Sequence, residues 1–228
     1  MMPTLPQFPP TEAPRDALRR ALEYLADAVP DVQLVRSRNL LRRLRGTTRL
    51  ELWFQSSTWS RRGAGVWCSM NATVYDKALG TWRARHPELT RRTGDFLSTF
   101  GRLGPDIQLY GPLPGHRALA DVPAFIIDEA LPRLDWFESP GRALAEMPAQ
   151  ERRNSLLHLV EWSVSRDEPG AALEMLRRSF DEVPAMRERT DEQRRTGIPP
   201  AMPGGNAADL LGPALTRLGL VAPDEPLP

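Results

Sequence analysis

Three histidines and one cysteine are the side chains here best suited to acid–base, nucleophilic or metal chemistry, and their spacing joins almost none of them. His86, His116 and His158 fall singly, without the paired His and Cys spacings that make a zinc site. His158 and Glu161 stand three apart, so on a helix they would share a face and could reach one metal ion or one proton. A pair of this kind arises often by chance, and a hydrogen-bonded or exposed histidine is the stronger expectation. No Gly-x-Ser-x-Gly elbow is present to argue for a catalytic serine. Neither a Gly-x-x-x-x-Gly-Lys phosphate loop nor a Gly-x-Gly-x-x-Gly fingerprint occurs, which disfavours nucleotide-dependent chemistry. The sequence therefore assigns no catalytic residue, no metal ligand and no cofactor. Cys68 alternates with Val66 and Met70, a setting that buries the thiol and disfavours its thiolate. A lone cysteine also forms no intrachain disulfide and fits a reducing compartment.

Residues suited to binding are denser. Arg36, Arg38, Arg42, Arg43, Arg45 and Arg49 occur with no acid between Val32 and Leu50. If Arg43, Arg45 and Arg49 projected beside Trp53 and Trp67, guanidinium groups would lie next to aromatic planes, the pairing that stacks single-stranded bases. Packing is favoured over that alternative, because Trp53, Trp67 and Tyr75 also suit an apolar surface on which helices rest. The polar cluster Gln55-Ser56-Ser57-Thr58-Trp59-Ser60 falls where a strand runs into a loop, the usual place for binding residues.

The elements that must position these residues follow from periodicity. Leu50, Leu52 and Phe54 share one parity, and Val66, Cys68, Met70, Ala72 and Val74 share another. That period of two predicts a half-buried antiparallel hairpin, with Ser57 to Gly65 as its loop. Its second face carries Arg49, Glu51, Trp53 and Gln55, then Trp67, Ser69, Asn71, Thr73 and Tyr75, too rich in aromatics and amides for a plain solvated surface. Leu40 to Leu44 precede Gly46-Thr47 as a further strand, giving a three-stranded meander. Ile107 to Tyr110, between Pro105 and Pro112, fit a short fourth strand at a sheet edge.

Leu18, Leu22, Leu25 and Val29 recur at helical spacing until Pro30. Asp76 to Arg85 read as helix, with Ala78, Leu79 and Trp82 buried, and so do Val122 to Leu131. Ser139-Pro140 opens a short helix through Met147. Ser155 to Ser165 and Ala171 to Arg189 form a helical hairpin across Asp167-Glu168-Pro169-Gly170. By composition, residues 1 to 13 are an extended proline-rich lead-in, 14 to 134 an α+β sheet domain, and 135 to 196 a helical region packed on it. Residues 197 to 228 hold a Pro/Gly linker around Pro199 to Gly205, a helix over Ala207 to Leu218 and a frayed tail.

The chain has 30 basic and 29 acidic side chains for a formal charge of +1, so bulk charge steers no partner and local clustering must do so. Only one cation, Lys77, is a lysine, a bias attributed to a GC-rich bacterial genome. No secretory leader pattern and no run approaching the ~20 apolar residues of a membrane span is present, so a cytoplasmic protein is expected.

The order of an N-terminal helix, an arginine-bearing strand, Leu52-Trp53-Phe54-Gln55-Ser56-Ser57-x-Trp59, a glycine-containing gap and Trp67-x-x-x-Asn71-x-x-Val74-Tyr75 resembles a bacterial family, domain of unknown function 4304, over about residues 17 to 134. The resemblance implies an α+β fold with an antiparallel sheet, marks Gln55, Ser57 and Asn71 as motif positions, and carries no activity.

The expected fold is therefore α+β, a four-stranded antiparallel meander packed with helices, followed by a C-terminal helical hairpin. The expected function is a non-enzymatic protein-interaction module, of the immunity or accessory-factor type by analogy, binding through Trp53, Gln55, Ser57, Trp59, Trp67, Asn71 and Tyr75. One alternative is a small-molecule or catalytic pocket over Gln55, Ser57, Asn71 and Tyr75 with Glu51 as base. The other is single-stranded nucleic-acid binding through Arg43, Arg45 and Arg49.

Overall fold

Pro14 sets the backbone for the first turn of α1 (Pro14–Ala28), whose Ala17, Leu18, Ala21, Leu22 and Leu25 are buried along one stripe, as a 3.6-residue period requires. The computed structural model describes residues 3–111, 115–196 and 211–228. The chain forms two compact units, Met1–Val74 with Phe100–Leu134, and Tyr75–Thr99 with Asp135–Pro228.

In the first unit α1 lies against β1 (Gln33–Val35), β2 (Leu40–Arg45) and β3 (Thr48–Ser56). Gly46, at φ +58°, makes the β2–β3 turn, a left-handed conformation that costs glycine little. The β2–β3 register pairs Leu41 with Leu52 and Arg43 with Leu50 on one side of the ribbon, and Leu40 with Trp53 and Arg42 with Glu51 on the other. The expected alternation is present: Leu50, Leu52 and Phe54, then Cys68, Met70, Ala72 and Val74 of β4 (Val66–Asp76), are all buried.

The sheet is larger than the four-stranded antiparallel meander that the sequence predicts. Its order is β1-β2-β3-β4-β6-β7, with β5 (Phe96–Arg102) pairing with β4 off that path. β6 (Ile107–Tyr110) pairs antiparallel with β4 and parallel with β7 (Arg117–Ala118), so the sheet is mixed and β6 is not at its edge. β5 escapes a search for alternation because Leu97 and Ser98, adjacent in sequence, are both buried. The two residues of β7 are too few to show any period.

Val122 to Leu131 do not form one regular helix. A four-residue α3 (Val122–Phe125) passes through a π turn at Ile126–Ala130 into a 3₁₀ segment at Leu131–Glu138, which runs across Pro132.

In the second unit Asp76 caps α2 (Lys77–Arg85) by accepting from the Ala78 N–H at 2.8 Å, as an N-cap carboxylate should. Leu79 and Arg83 are its buried side chains, with Ala78 and Trp82 only half-buried. Ser139 caps α4 (Pro140–Glu146) as its sequence implies, and α5 (Ala149–Asn154) follows. α6 (Leu156–Ser165) and α7 (Pro169–Glu182) pair as the expected hairpin. The second arm stops early. Val183 is non-helical before Pro184, which opens a separate α8 (Pro184–Thr196), because proline excludes its predecessor from the helical region.

α9 (Leu211–Arg217) packs on α8. The linker expected around Pro199 to Gly205, and the start of the helix expected from Ala207, lie outside the described residues. The tail is not frayed: Val221 and Leu227 are buried, and Arg187 and Arg194 donate to the carbonyls of Leu227 and Glu225.

Candidate functional site

The loop from Ser57 to Gly65 holds the most exposed aromatic residue of the first unit. Its backbone is closed by hydrogen bonds from the Ser57 N–H to the Trp67 carbonyl, the Arg61 N–H to the Gly65 carbonyl and the Gly63 N–H to the Pro10 carbonyl, at 2.8 to 2.9 Å. Ser57 Oγ accepts from the Trp59 N–H at 3.2 Å, while Ser60 Oγ bridges the Trp67 N–H and carbonyl, both at 3.0 Å. Short hydroxyls suit this role because they satisfy turn backbone locally. The result is a tied loop from which Trp59 projects, 74% exposed, with Arg61 and Arg62 exposed beside it.

The other expected binding residues differ widely in exposure. Gln55 is exposed, while Trp53, Ser57 and Asn71 are half-buried. Trp67 is 7% exposed and tilts against His116 at 6.2 Å between ring centroids, so its face is closed to a partner. Tyr75 belongs to the second unit, where its ring meets the Phe96 edge at 6.1 Å. Arg49 lies on the Trp53 side of the ribbon, whereas Arg43 and Arg45 pair with Leu50 and Thr48 on the opposite side. Those three arginines therefore do not share one face with Trp53.

Glu51, the candidate base, is 1% exposed. Its Oε1 accepts from Arg42 Nε and Nη2 at 3.0 and 2.7 Å and from Arg49 Nε at 3.2 Å. Two guanidinium groups on one oxygen fix the carboxylate in place, a clamp that ties β2 to β3. A cleft of about 400 Å³ lies elsewhere in this unit, lined in part by Leu5, Phe8, Tyr110, His116 and Leu119.

A polar cluster of which the sequence gives only the His158 and Glu161 pair lies in the second unit. Arg83, 2% exposed, donates from Nε and Nη2 to Glu161 Oε2 at 3.0 and 2.7 Å, and from Nη1 to the carbonyls of Gly94 and Phe96. Thr90 Oγ1 donates to the other Glu161 oxygen at 2.6 Å. His158, one turn before Glu161, has Arg83 Nη2 3.0 Å from Nδ1 and Arg92 Nη1 3.1 Å from Nε2. Burial, then the charges of Arg92 and Arg83, push its pKa down to about 3, against a hydrogen bond to the Phe96 backbone that acts the other way. The imidazole is therefore neutral at physiological pH. Nδ1 and Nε2 each face an arginine donor, and the neutral ring has one acceptor nitrogen to offer between them.

Among the described residues no three His, Cys, Asp or Glu side chains gather as metal ligands would, and no helix is long and apolar enough to cross a membrane. Compared with family models, curated proteins and solved structures, the chain shows no match.

Proposed function

We propose that this chain is a non-catalytic binding module whose loop presents Trp59 to a protein partner with an acidic rim. The supporting observation is the combination of 74% exposure at Trp59 with a hydrogen-bonded loop that holds it in place. An exposed indole normally costs solubility and ordering entropy. When its backbone is already fixed, less of that entropy remains to be lost on docking, and tryptophan in a partner pocket is a common energetic centre of an interface.

Charge specifies the partner further. From Val32 to Tyr75 the sequence has eight arginines and a single acid, Glu51, so an acidic surface around an apolar socket would be steered to this region. The immunity or accessory-factor type, a bacterial cytoplasmic setting and membership of the domain of unknown function 4304 family belong to the same proposal. The lone buried thiol of Cys68 is compatible with a reducing compartment.

A quantitative pull-down with the intact chain tests this reading. Trp59→Ala is expected to weaken a stoichiometric partner by at least about thirtyfold, the equivalent of a 2 kcal/mol interface centre, with an unchanged melting temperature. Equal capture by wild type and variant, or a metabolite that stabilises the protein while no partner is recovered, would overturn it. Exposed Arg61 and Arg62 beside Trp59 also favour a second reading, stacking of single-stranded nucleic acid. Labelled single-stranded RNA titrated across a salt series decides that one, and no binding at low ionic strength removes it.

A further inference from the structure

The cleft of about 400 Å³ in the first unit is enclosed by three segments: the proline-rich lead-in around Pro6, the end of β6 at 108–111, and the stretch from His116 through β7 into a short 3₁₀ turn (Leu119–Asp121). Its volume falls within the ~300–1,000 Å³ of small-ligand sites. The lead-in stands as a finished wall because it is tied along its length. Arg20 donates to the Gln7 carbonyl at 2.9 Å and lies 5.5 Å from the centroid of the Phe8 ring. The Gly63 N–H donates to the Pro10 carbonyl at 2.8 Å, and the Tyr110 hydroxyl donates to the Glu12 carbonyl at 3.2 Å. Pro6, Pro9 and Pro10 restrict the backbone between those ties. A ligand entering such a cleft has little ordering entropy to overcome.

The lining specifies the chemistry of that ligand. Leu5, Pro6, Phe8, Leu109 and Leu119 make most of it apolar. Leu5 is 45% exposed, one of four large apolar side chains so uncovered among the described residues, and a ligand seated on it would withdraw apolar surface from water. Among the described residues that line the cleft, none is Asp, Glu, Lys or Arg. Arg20, over the Phe8 ring, is already answered by the Glu12 carboxylate, whose two oxygens accept at 3.2 and 3.1 Å. An ionised ligand would therefore shed its water without gaining a countercharge. Hydrogen bonding is supplied by two lining side chains: the Gln108 amide both donates and accepts, and the Tyr110 oxygen, its hydrogen given to Glu12, accepts.

We propose that this cleft binds an uncharged, predominantly apolar small molecule that carries one hydrogen-bonding group, its body against Leu5, Phe8 and Leu119 and its polar group at Gln108 or Tyr110. The proposal rests on the cleft alone and stands or falls apart from partner capture by Trp59.

Equilibrium dialysis of the intact protein against 2-naphthol tests it, with naphthalene-2-sulfonate and 1-naphthylmethylamine as anionic and cationic probes of similar body. Saturable one-to-one binding of 2-naphthol is expected, about tenfold or more tighter than that of either ion. Ala118→Trp puts an indole into the cleft from an exposed position of β7 and should weaken 2-naphthol about tenfold or more at an unchanged melting temperature. Arg177→Gln, at an exposed arginine paired with Glu174, should bind as wild type does. Absence of saturable binding overturns the proposal, as does an ion held as tightly as 2-naphthol or full affinity in Ala118→Trp. If Ala118→Trp does not fold, Ala120→Trp, at a second exposed position on the cleft, carries the test, and full affinity there overturns it.

Discussion

His158 is neutral because burial and the charges of Arg92 and Arg83 outweigh the opposing hydrogen bond to the Phe96 backbone, and that state links a single side chain to acid stability. In the unfolded chain the imidazole takes up a proton near pH 6.5, whereas the folded chain resists doing so until about pH 3. The unfolded state binds the extra proton between those values, so this contribution is intact above pH 6.5 and is lost as pH falls toward 3. The loss approaches about 1.4 kcal/mol per pH unit within the window. Urea unfolding at pH 7, 5.5 and 4.5 should show a steeper decline for wild type than for His158→Gln, and parallel declines would refute the linkage. The His158 and Glu161 pairing was legible in the sequence as two residues on one helical face. Their partners were not, since Arg83 lies 78 positions from Glu161 and Thr90 lies 71. No local pattern marks a charged residue that burial will conscript from so far away.

Among the elements, α8 and α9 meet so closely that one hydrogen atom decides the contact. A Cβ built on Gly212 would stand 2.6 Å from the Thr190 carbonyl oxygen and 2.9 Å from the Arg194 nitrogen, both backbone atoms. Gly212→Ala is expected to destabilise the fold by about 1–3 kcal/mol in urea. Gly170→Ala, where a Cβ meets nothing within 4 Å, should be neutral or stabilising by up to about 1 kcal/mol. Equal midpoints for the two variants would contradict the close crossing. Elements with strong periods were legible to within a residue or two: α1, β3 and β4 follow from Leu18, Leu22 and Leu25 and from the alternation around Leu52 and Met70. β5 and β7 were not, since the first buries adjacent side chains and the second is only two residues long. The break at Val183–Pro184 was written in the proline and was hidden by the apolar spacing that continues up to it.

At the scale of the whole molecule, Cys68 reports on global opening. Its thiol is buried, and burial, with a lesser push from Asp106, raises its pKa to about 12. A thiol reagent at pH 8 should therefore react with the native chain at least about a thousandfold more slowly than with the urea-unfolded chain, through rare opening. Rapid labelling without loss of structure would place that thiol outside the core. The division of the chain has a bearing on how it is made. The second unit draws on Tyr75–Thr99 and then on nothing until Asp135, so its early segment leaves the ribosome long before the helices that complete it. Arg83 must wait, charged and without its carboxylate, until Glu161 has been synthesised, and a C-terminal truncation at any point before α6 would leave that guanidinium stranded. Nascent chains of this protein should depend on holdase protection late in translation rather than early.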